Sequence, residues 1–537
     1  MMPTRTDPAI AAASIRSRAE PMTPPSTTHH GRLWPFLLAY AAVAIWIAFS
    51  GIHRVHNADT LMFSLASLYA WTPYFWEQDR VGMLVPLIAS VFSDPIQNLV
   101  VQTGLTVFAG LCVPLLAAEL AYPHPINRIA ATFANAAMLL LAPDRIRENL
   151  LVECYYPLSM ALGCGGLLLL GRGVGWPRWW RVVGAAALLI LSCWVYIGVP
   201  LWLGPLAVVR GWLQSGDPPP STFWERLFRP VLHARTFLGL ALLVVAFGLG
   251  LVWMKAARMA NPELIGATPQ NALPPTEWLA SWHGFFEHLA RLPGMLAWVL
   301  ALAVPAGMGV LARITMRKPG VGEAGSPLLT AIPILLVPAA AEFLFIGTRE
   351  WTAMNDHHPR YLLGSIESVQ VLLALFAVAP LARLGAGARG WILGAFSLLL
   401  LLAAATAQYG FPAPHRPRAE LDALAGAWTP ELILCEVDSL GGDYWTVWPA
   451  VYHVNLERRE LGDGRIFCGI VLRGRVLLLA HGYNEWKEWK VAVRRDAKEL
   501  ADFQDAARIC GFATPVKIGE CGAFDIYLTH PVAMGRE

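Results

Sequence analysis

Eleven apolar runs dictate what this chain can become: they lie near 33–50, 95–118, 129–143, 151–171, 182–195, 197–209, 236–254, 294–312, 327–346, 362–384 and 390–407. A hydrocarbon core about 30 Å thick asks for about 20 apolar residues per helical crossing, with shorter runs tolerated. In lipid, an unclosed backbone can satisfy its own polar groups only as helices. The expected fold is therefore an α-helical polytopic membrane protein of about eleven transmembrane helices. Composition agrees, with 56% hydrophobic residues, 15% charged residues and 22 Trp, which excludes a large soluble enzyme. A formal charge of +3 argues against a nucleic-acid partner.

The run from Val182 to Val209 is too long for one helix and is broken by Gly198 and Pro200, so it divides into a hairpin of short spans. Charge supports the division. With it, about 17 Lys/Arg fall on inside segments, among them Arg172, Arg178, Arg181, Arg210 and Arg313, against about nine outside. Residues 1–32, rich in Pro, Ser, Thr and Arg, read as a disordered cytoplasmic lead. Residues 33–407 form the membrane domain, with 51–94 as its first outer loop. Within that loop Val81 to Phe92 is apolar but too short to span, so it lies in the interface or re-enters.

An odd number of spans from an inside N-terminus carries residues 408–537 outside. Pro412, Pro414 and Pro417 make a stiff linker, and about 120 residues then suffice for one small α+β domain. Glu431–Cys435 and Arg475–Ala480 read as short buried strands, and Lys498–Cys510 as a helix. Cys435, Cys468, Cys510 and Cys521 fall in a compartment that permits disulfides, with three connectivities open. Cys112, Cys154, Cys164 and Cys193 lie in apolar runs and read as small core residues.

Two polar islands interrupt the apolar pattern and, by the count of crossings, share the outer face. The first is His53-Arg54-Val55-His56-Asn57-Ala58-Asp59. Helical apolar spacing from Ala58 to Tyr69 makes Asp59 open an interfacial helix, where a partly desolvated carboxylate can act as general base toward a hydroxyl. A solvated loop acid is the plainer alternative. Glu77, Asp79 and Arg80 follow Pro73 and read either as a loop ion pair or as substrate contacts. The second island joins Arg349 and Glu350 to Asp356, His357, His358, Arg360 and Tyr361 just before a span. A guanidinium there can grip phosphate oxygens with both arms, as an anionic headgroup requires; a snorkelling anchor beside an interfacial Tyr is the competing reading. His357 and His358 are adjacent, so their side chains diverge and a shared metal is not indicated. Arg145 and Arg147, in another charge-dense outer loop, are further candidates for substrate contact. Among the motifs absent are the P-loop, HExxH, GxSxG and CxxC.

With these pieces in place the layout resembles the GT-C membrane glycosyltransferases, in particular the protein-mannosyltransferase and aminoarabinose-transferase-like branch. There an Asp following the first span serves as base, and Asp59 occupies that place in His56-Asn57-Ala58-Asp59-Thr60; a later outer loop ends in Arg-Tyr before a span, as His358-Pro359-Arg360-Tyr361 does. The segment Gly442-Asp443-Tyr444-Trp445-Thr446-Val447-Trp448-Pro449 is similar to an Asp-Tyr-Trp element of uncharacterised members. Thr60 stands where Asp-Glu is frequent, and the first loop has no Asp-x-Asp pair, which turns the reading from a metal-bound pyrophosphate donor to a monophosphate one. The resemblance implies inverting transfer of a sugar from a polyprenyl phosphate to a glycan, lipid or protein acceptor at the outer face of a bacterial inner membrane, without a cofactor. Asp59 would take the acceptor's proton, and Arg360 with neighbouring cations would bind the leaving phosphate. A lipid or solute transporter or flippase, for which Glu342 and Glu367 are the nearest charged groups within spans, and a non-catalytic assembly protein are the alternatives.

Overall fold

The computed structural model describes residues 33–69, 71–75, 81–121, 124–152, 155–171, 176–213, 234–260, 271–315, 327–384, 387–471, 488–509 and 512–530. Each of the eleven apolar runs forms a helix, and short helices fill the polar joints between them. In chain order these are α1 (Trp34–Ala48), α2 (Ile52–Val55), α3 (Ala58–Tyr69), α4 (Leu84–Ala89), α5 (Pro95–Ala121), α6 (Ile126–Leu141) and α7 (Asp144–Leu151). Then come α8 (Tyr156–Leu170), α9 (Trp179–Val195), α10 (Pro200–Leu213), α11 (Ala234–Ala260), α12 (Trp278–Arg291), α13 (Met295–Thr315) and α14 (Pro327–Ile346). The membrane part closes with α15 (Glu350–Met354), α16 (Leu363–Val378) and α17 (Gly387–Tyr409).

Among the described residues five helical segments are long and apolar enough to cross a bilayer, and the bent pair α7–α8, turned by 51°, adds a sixth if it is one span. Trp34–Ala48, Ile126–Leu141 and Trp179–Val195 are apolar but shorter; at about 1.5 Å per residue they reach only about 22–26 Å. The chain is a multi-pass membrane protein of helices. The long run 182–209 is divided as its Gly and Pro dictate, since α9 ends at Val195 and α10 starts at Pro200. The apolar piece after the first span becomes α4; just before it, Gly82 bridges Tyr74 within the same loop and Val81 bridges Tyr196 at the α9–α10 joint.

One polar stripe explains how the short helix α3 is held. Asn98, Gln102, Thr103 and Thr106 follow helical spacing along α5, and all are buried. Asn98 Nδ2 donates to Ser67 Oγ at 2.8 Å, Ser64 Oγ donates to Asn98 Oδ1 at 2.9 Å, and Gln102 Nε2 donates to the same oxygen at 2.7 Å. His56 Nε2 meets Thr103 Oγ1 at 2.7 Å, just before α3 starts. A transmembrane helix that carries polar groups on one face needs a polar partner there, and α3 is that partner.

Beyond the bundle come α18 (Arg416–Ala425), α19 (Thr429–Leu434), α20 (Tyr444–Glu460) and α21 (Ala497–Ile509), with strands β1 (Ser439–Gly442), β2 (Cys468–Val471), β3 (Trp489–Arg494), β4 (Val516–Cys521) and β5 (Phe524–Thr529). The sheet order is β2-β1-β3-β5-β4, with β1 parallel to both neighbours and β5 antiparallel to both of its own. Glu431–Cys435 is helical rather than extended, because Pro430 and Glu431 in its first turn are helix-start residues that outweigh a short apolar run. Arg475–Ala480 lies outside the described residues. The expected helix at Lys498–Cys510 is α21. Of the three open cysteine pairings, the bridge found is Cys435–Cys521, joining the end of α19 to the end of β4; Cys468 is buried in β2, and Cys510 lies outside the described residues. Cys112, Cys164 and Cys193 are buried in the bundle; Cys154 is outside the described residues.

Helix α20 binds the two parts into one body. It is buried from Ala450 to Leu456 without a break, a pattern its mixed polar sequence does not foretell. One side carries Trp448 under Gly469 of β2, and another sends the Tyr452 hydroxyl to the Pro95 carbonyl at 2.8 Å. Further along the seam, Trp46 Nε1 donates to the Gly410 carbonyl at 2.9 Å, and the His53 amide donates to Glu420 at 3.2 Å.

Candidate active site

The first turn of α3 is built by a reciprocal cap. Asn57 Oδ1 accepts from the Thr60 amide at 3.2 Å, while Thr60 Oγ1 accepts from the Asn57 amide at 2.8 Å. The pattern is a capping box with Thr in the place usually held by Glu or Gln, and Glu148 of α7 accepts from the Asn57 side-chain amide. This fixes the next residue but one. Asp59 lies in the first turn, 8% exposed, where the helix's unpaired amides favour a negative charge.

Both carboxylate oxygens of Asp59 are engaged, each by a different part of the molecule. Arg360 Nη1 donates to Oδ2 at 3.3 Å, across 301 residues of sequence. The Tyr444 hydroxyl, from the first turn of α20, donates to Oδ1 and also sits 3.1 Å from Met62 Sδ, one turn further along α3. Arg360 is itself aimed by its neighbours. Its Nη2 donates to the Tyr361 hydroxyl at 3.0 Å, and its guanidinium stands 5.0 Å from the centre of that ring. Tyr361 is buried among Phe285, Ile346 and Leu362, with Trp351 edge-on at 4.2 Å, so a packing residue steers the cation.

His358 completes this group. Its Nδ1 accepts from the Arg360 amide at 3.3 Å, which leaves the ring proton on Nε2 when the ring is neutral. Burial first, then the positive charges of Arg360 and Arg145, hold its pKa down at about 3, with Asp59 pulling weakly the other way. Arg145 thus belongs to the same electrostatic neighbourhood, exposed on α7. His56, before α3, is likewise pushed down to about 3 by burial.

Other candidates point elsewhere. Arg147 is buried on the opposite face of α7, where it donates to the Leu139 and Ala142 carbonyls at 3.3 and 3.2 Å and pairs with Asp144, so it closes the end of α6. His357, in left-handed conformation like Asp356, sends Nε2 to Ser281 Oγ at 3.1 Å and packs edge-on to Phe285, which ties the loop to α12; burial lowers its pKa. The Arg349 guanidinium lies 3.8 Å over the Phe345 ring. Glu77, Asp79 and Arg80 lie outside the described residues.

Tyr444 had no assigned role in the sequence, although a signal was present. Gly441-Gly442 at a strand end followed by Asp443 predicts a cap, and the Asp443 side chain accepts from the Trp445 amide at 3.0 Å. Gly442 sits at φ +145°, a conformation that L side chains rarely adopt, and a Cβ there would fall 2.1 Å from Glu499 Oε2, the atom that accepts from the Asp443 amide at 2.6 Å. The turn therefore delivers Tyr444 at a fixed point above α3.

Asp422, His453 and Glu457 have ligand atoms mutually within 4.8 Å, an arrangement a metal could use. Arg418 already supplies the cation: it bonds Asp422 at 2.7 Å and pairs with Glu457 and Glu460, while Asp422 also bonds His453 Nε2 at 2.8 Å. These groups fasten α18 to α20.

No protein-family model and no curated protein matches the chain. Among solved structures it is similar to ArnT from Cupriavidus metallidurans, crystallised with undecaprenyl phosphate, at 15% identity and a TM-score of 0.44, over 94% of this chain and 98% of that one.

Proposed function

We propose that the protein is a membrane glycosyltransferase, moving a sugar from a polyprenyl-phosphate donor to a hydroxyl acceptor at the outer face of a bacterial inner membrane. The observation that carries this reading is the meeting of Asp59 and Arg360 at 3.3 Å, a base and a phosphate-binding cation brought together from distant loops beside a membrane bundle. In the transfer step Asp59 takes the acceptor's proton, and the acceptor oxygen bonds the anomeric carbon. The bond from that carbon to phosphate breaks, with its electron pair leaving on the phosphate. Attack opposite the leaving group inverts the centre. Phosphate departs as an anion, so no separate acid is required; Arg360 turns its fork to it, and the neutral His358 ring offers Nε2–H to the same oxygens.

The transporter reading draws less support from the acids within spans. Glu342 accepts from the Ser365 amide at 2.5 Å and the Ser365 hydroxyl at 2.7 Å, which fastens α14 to α16, and Glu367 is 2% exposed. The deciding experiment is mass spectrometry of lipid-linked sugars and envelope glycans with and without the gene. Accumulation of a polyprenyl-phosphate sugar with loss of one glycan signal is expected; unchanged pools of both would rule the reading out.

A further inference from the structure

A general base needs one carboxylate oxygen turned to the incoming hydroxyl. On Asp59, Oδ2 faces the guanidinium assigned to the departing phosphate, 3.3 Å away, so Oδ1 is the acceptor's side. What stands on Oδ1 is itself a hydroxyl donating to the carboxylate, that of Tyr444. We propose that Tyr444 is an acceptor-side positioning residue: its phenol holds on Asp59 Oδ1 the place of the acceptor's hydroxyl and yields it for transfer, so that the acceptor comes in along the seam between α3 and α20. This rests on Asp59 being the base.

The surroundings allow the exchange without undocking the domain. The backbone at Tyr444 is fixed by Gly442, Asp443 and Glu499, and α20 is separately held to the bundle by the Tyr452–Pro95 bond at 2.8 Å. The movable part is the side chain, and Met62 Sδ, 3.1 Å from the hydroxyl, gives it a second resting partner beside the first. Trp445, next in sequence and 45% exposed, presents an indole face where the body of an acceptor would lie. The C-terminal domain then selects the acceptor, while the bundle binds the donor.

Two measurements on the full-length protein test this. The first needs no donor: coupling of methylamine to Asp59 by a water-soluble carbodiimide, read by peptide mass spectrometry. Tyr444→Phe should raise labelling about tenfold, the worth of one hydrogen bond to a charged group, whereas Tyr452→Phe should leave it unchanged. Equal labelling in wild type and Tyr444→Phe, or an equal rise in Tyr452→Phe, overturns the proposal. The second is transfer of mannose from undecaprenyl-phosphate mannose to glycerol, read as the mannosyl-glycerol formed. Tyr444→Phe should lower the glycerol KM with little change in kcat, and a fall in kcat at constant KM would show that the phenol braces the base instead. If turnover does not depend on Asp59 while labelling still rises in Tyr444→Phe, the phenol covers Oδ1 but Asp59 is not the base, and the reading on which this proposal rests falls.

Discussion

The two polar islands meet at one carboxylate but are held in different ways. The island before α3 is bonded outward: His56 reaches Thr103, Asn57 reaches Glu148, and Ser64 and Ser67 reach Asn98. The island before α16 is bonded inward and onto α12: Arg360 to Tyr361, His358 to the Arg360 amide, His357 to Ser281. The first is thereby bonded into the bundle through α5 and α7, whereas the second is bonded within itself, to α12 and to Asp59. On the proposed mechanism this division suits a base that stays put and a cation that follows a leaving phosphate, and substitutions on the two sides should differ accordingly.

The largest effect should come from the fixed side. Asp59→Asn keeps shape but loses the proton acceptor, so turnover should fall by about 10² or more with donor binding and membrane expression little changed. Glu77→Gln and Asp79→Asn should be assayed in parallel; normal turnover in Asp59→Asn with collapse in Asp79→Asn would transfer the role to that acid. On the other side, Arg360→Ala should weaken binding of undecaprenyl phosphate by about tenfold to a hundredfold, with Arg360→Lys recovering only part, because an ammonium does not reproduce the fork. Unchanged binding in the Ala variant would reduce Arg360 to an anchor.

Smaller effects separate support from chemistry. Asn98→Ala strips the hub that joins α5 to α3 and should cost about 1–3 kcal/mol, seen as a lower Tm in detergent together with reduced turnover. If the Tm holds, the stripe is not what fixes α3. Acid sensitivity should be shared between the islands, since His56 and His358 are both depressed to about 3. Between that value and the ordinary 6.5 the unfolded chain binds protons that the folded chain refuses, so stability is present above about pH 6.5 and declines as pH falls toward 3. His358→Gln should flatten part of the decline between pH 6.5 and 4, and an unaltered slope would refute its share. Finally, a reporter fused after Gly410 should be active outside and one at Gly216 inside; an outside signal at Gly216 would undo the eleven-span order and with it the common face of the two islands.

Residue pattern was enough to place a helix on each apolar run and to break the run 182–209 at Gly198–Pro200, because apolar length is a local signal; the two polar islands it singled out contain Asp59 and Arg360, which lie 3.3 Å apart. What it did not supply was the direction of side chains. Arg145 and Arg147 are two residues apart on a helix, so they face different ways, and only one of them reaches the neighbourhood of His358. His357 and His358 part in the same manner, one toward α12 and one toward Arg360. Tyr444 escaped for another reason: its partner lies 385 residues away, and no periodicity within a single element records such a pairing. The helix at Glu431 was misread because a short apolar run fits either period, and the caps beside it decide.

That separation also sets a clock on biosynthesis. At about 5–20 residues per second, a ribosome that has just made Asp59 needs about 20–80 s to make Tyr444, 385 residues later. Once Pro95–Ala121 has been made, α3 can already lie against α5, while the hydroxyl that covers Oδ1 does not yet exist. A nascent chain that has not yet reached Tyr444 therefore carries the Asp59 carboxylate without the hydroxyl that covers its Oδ1.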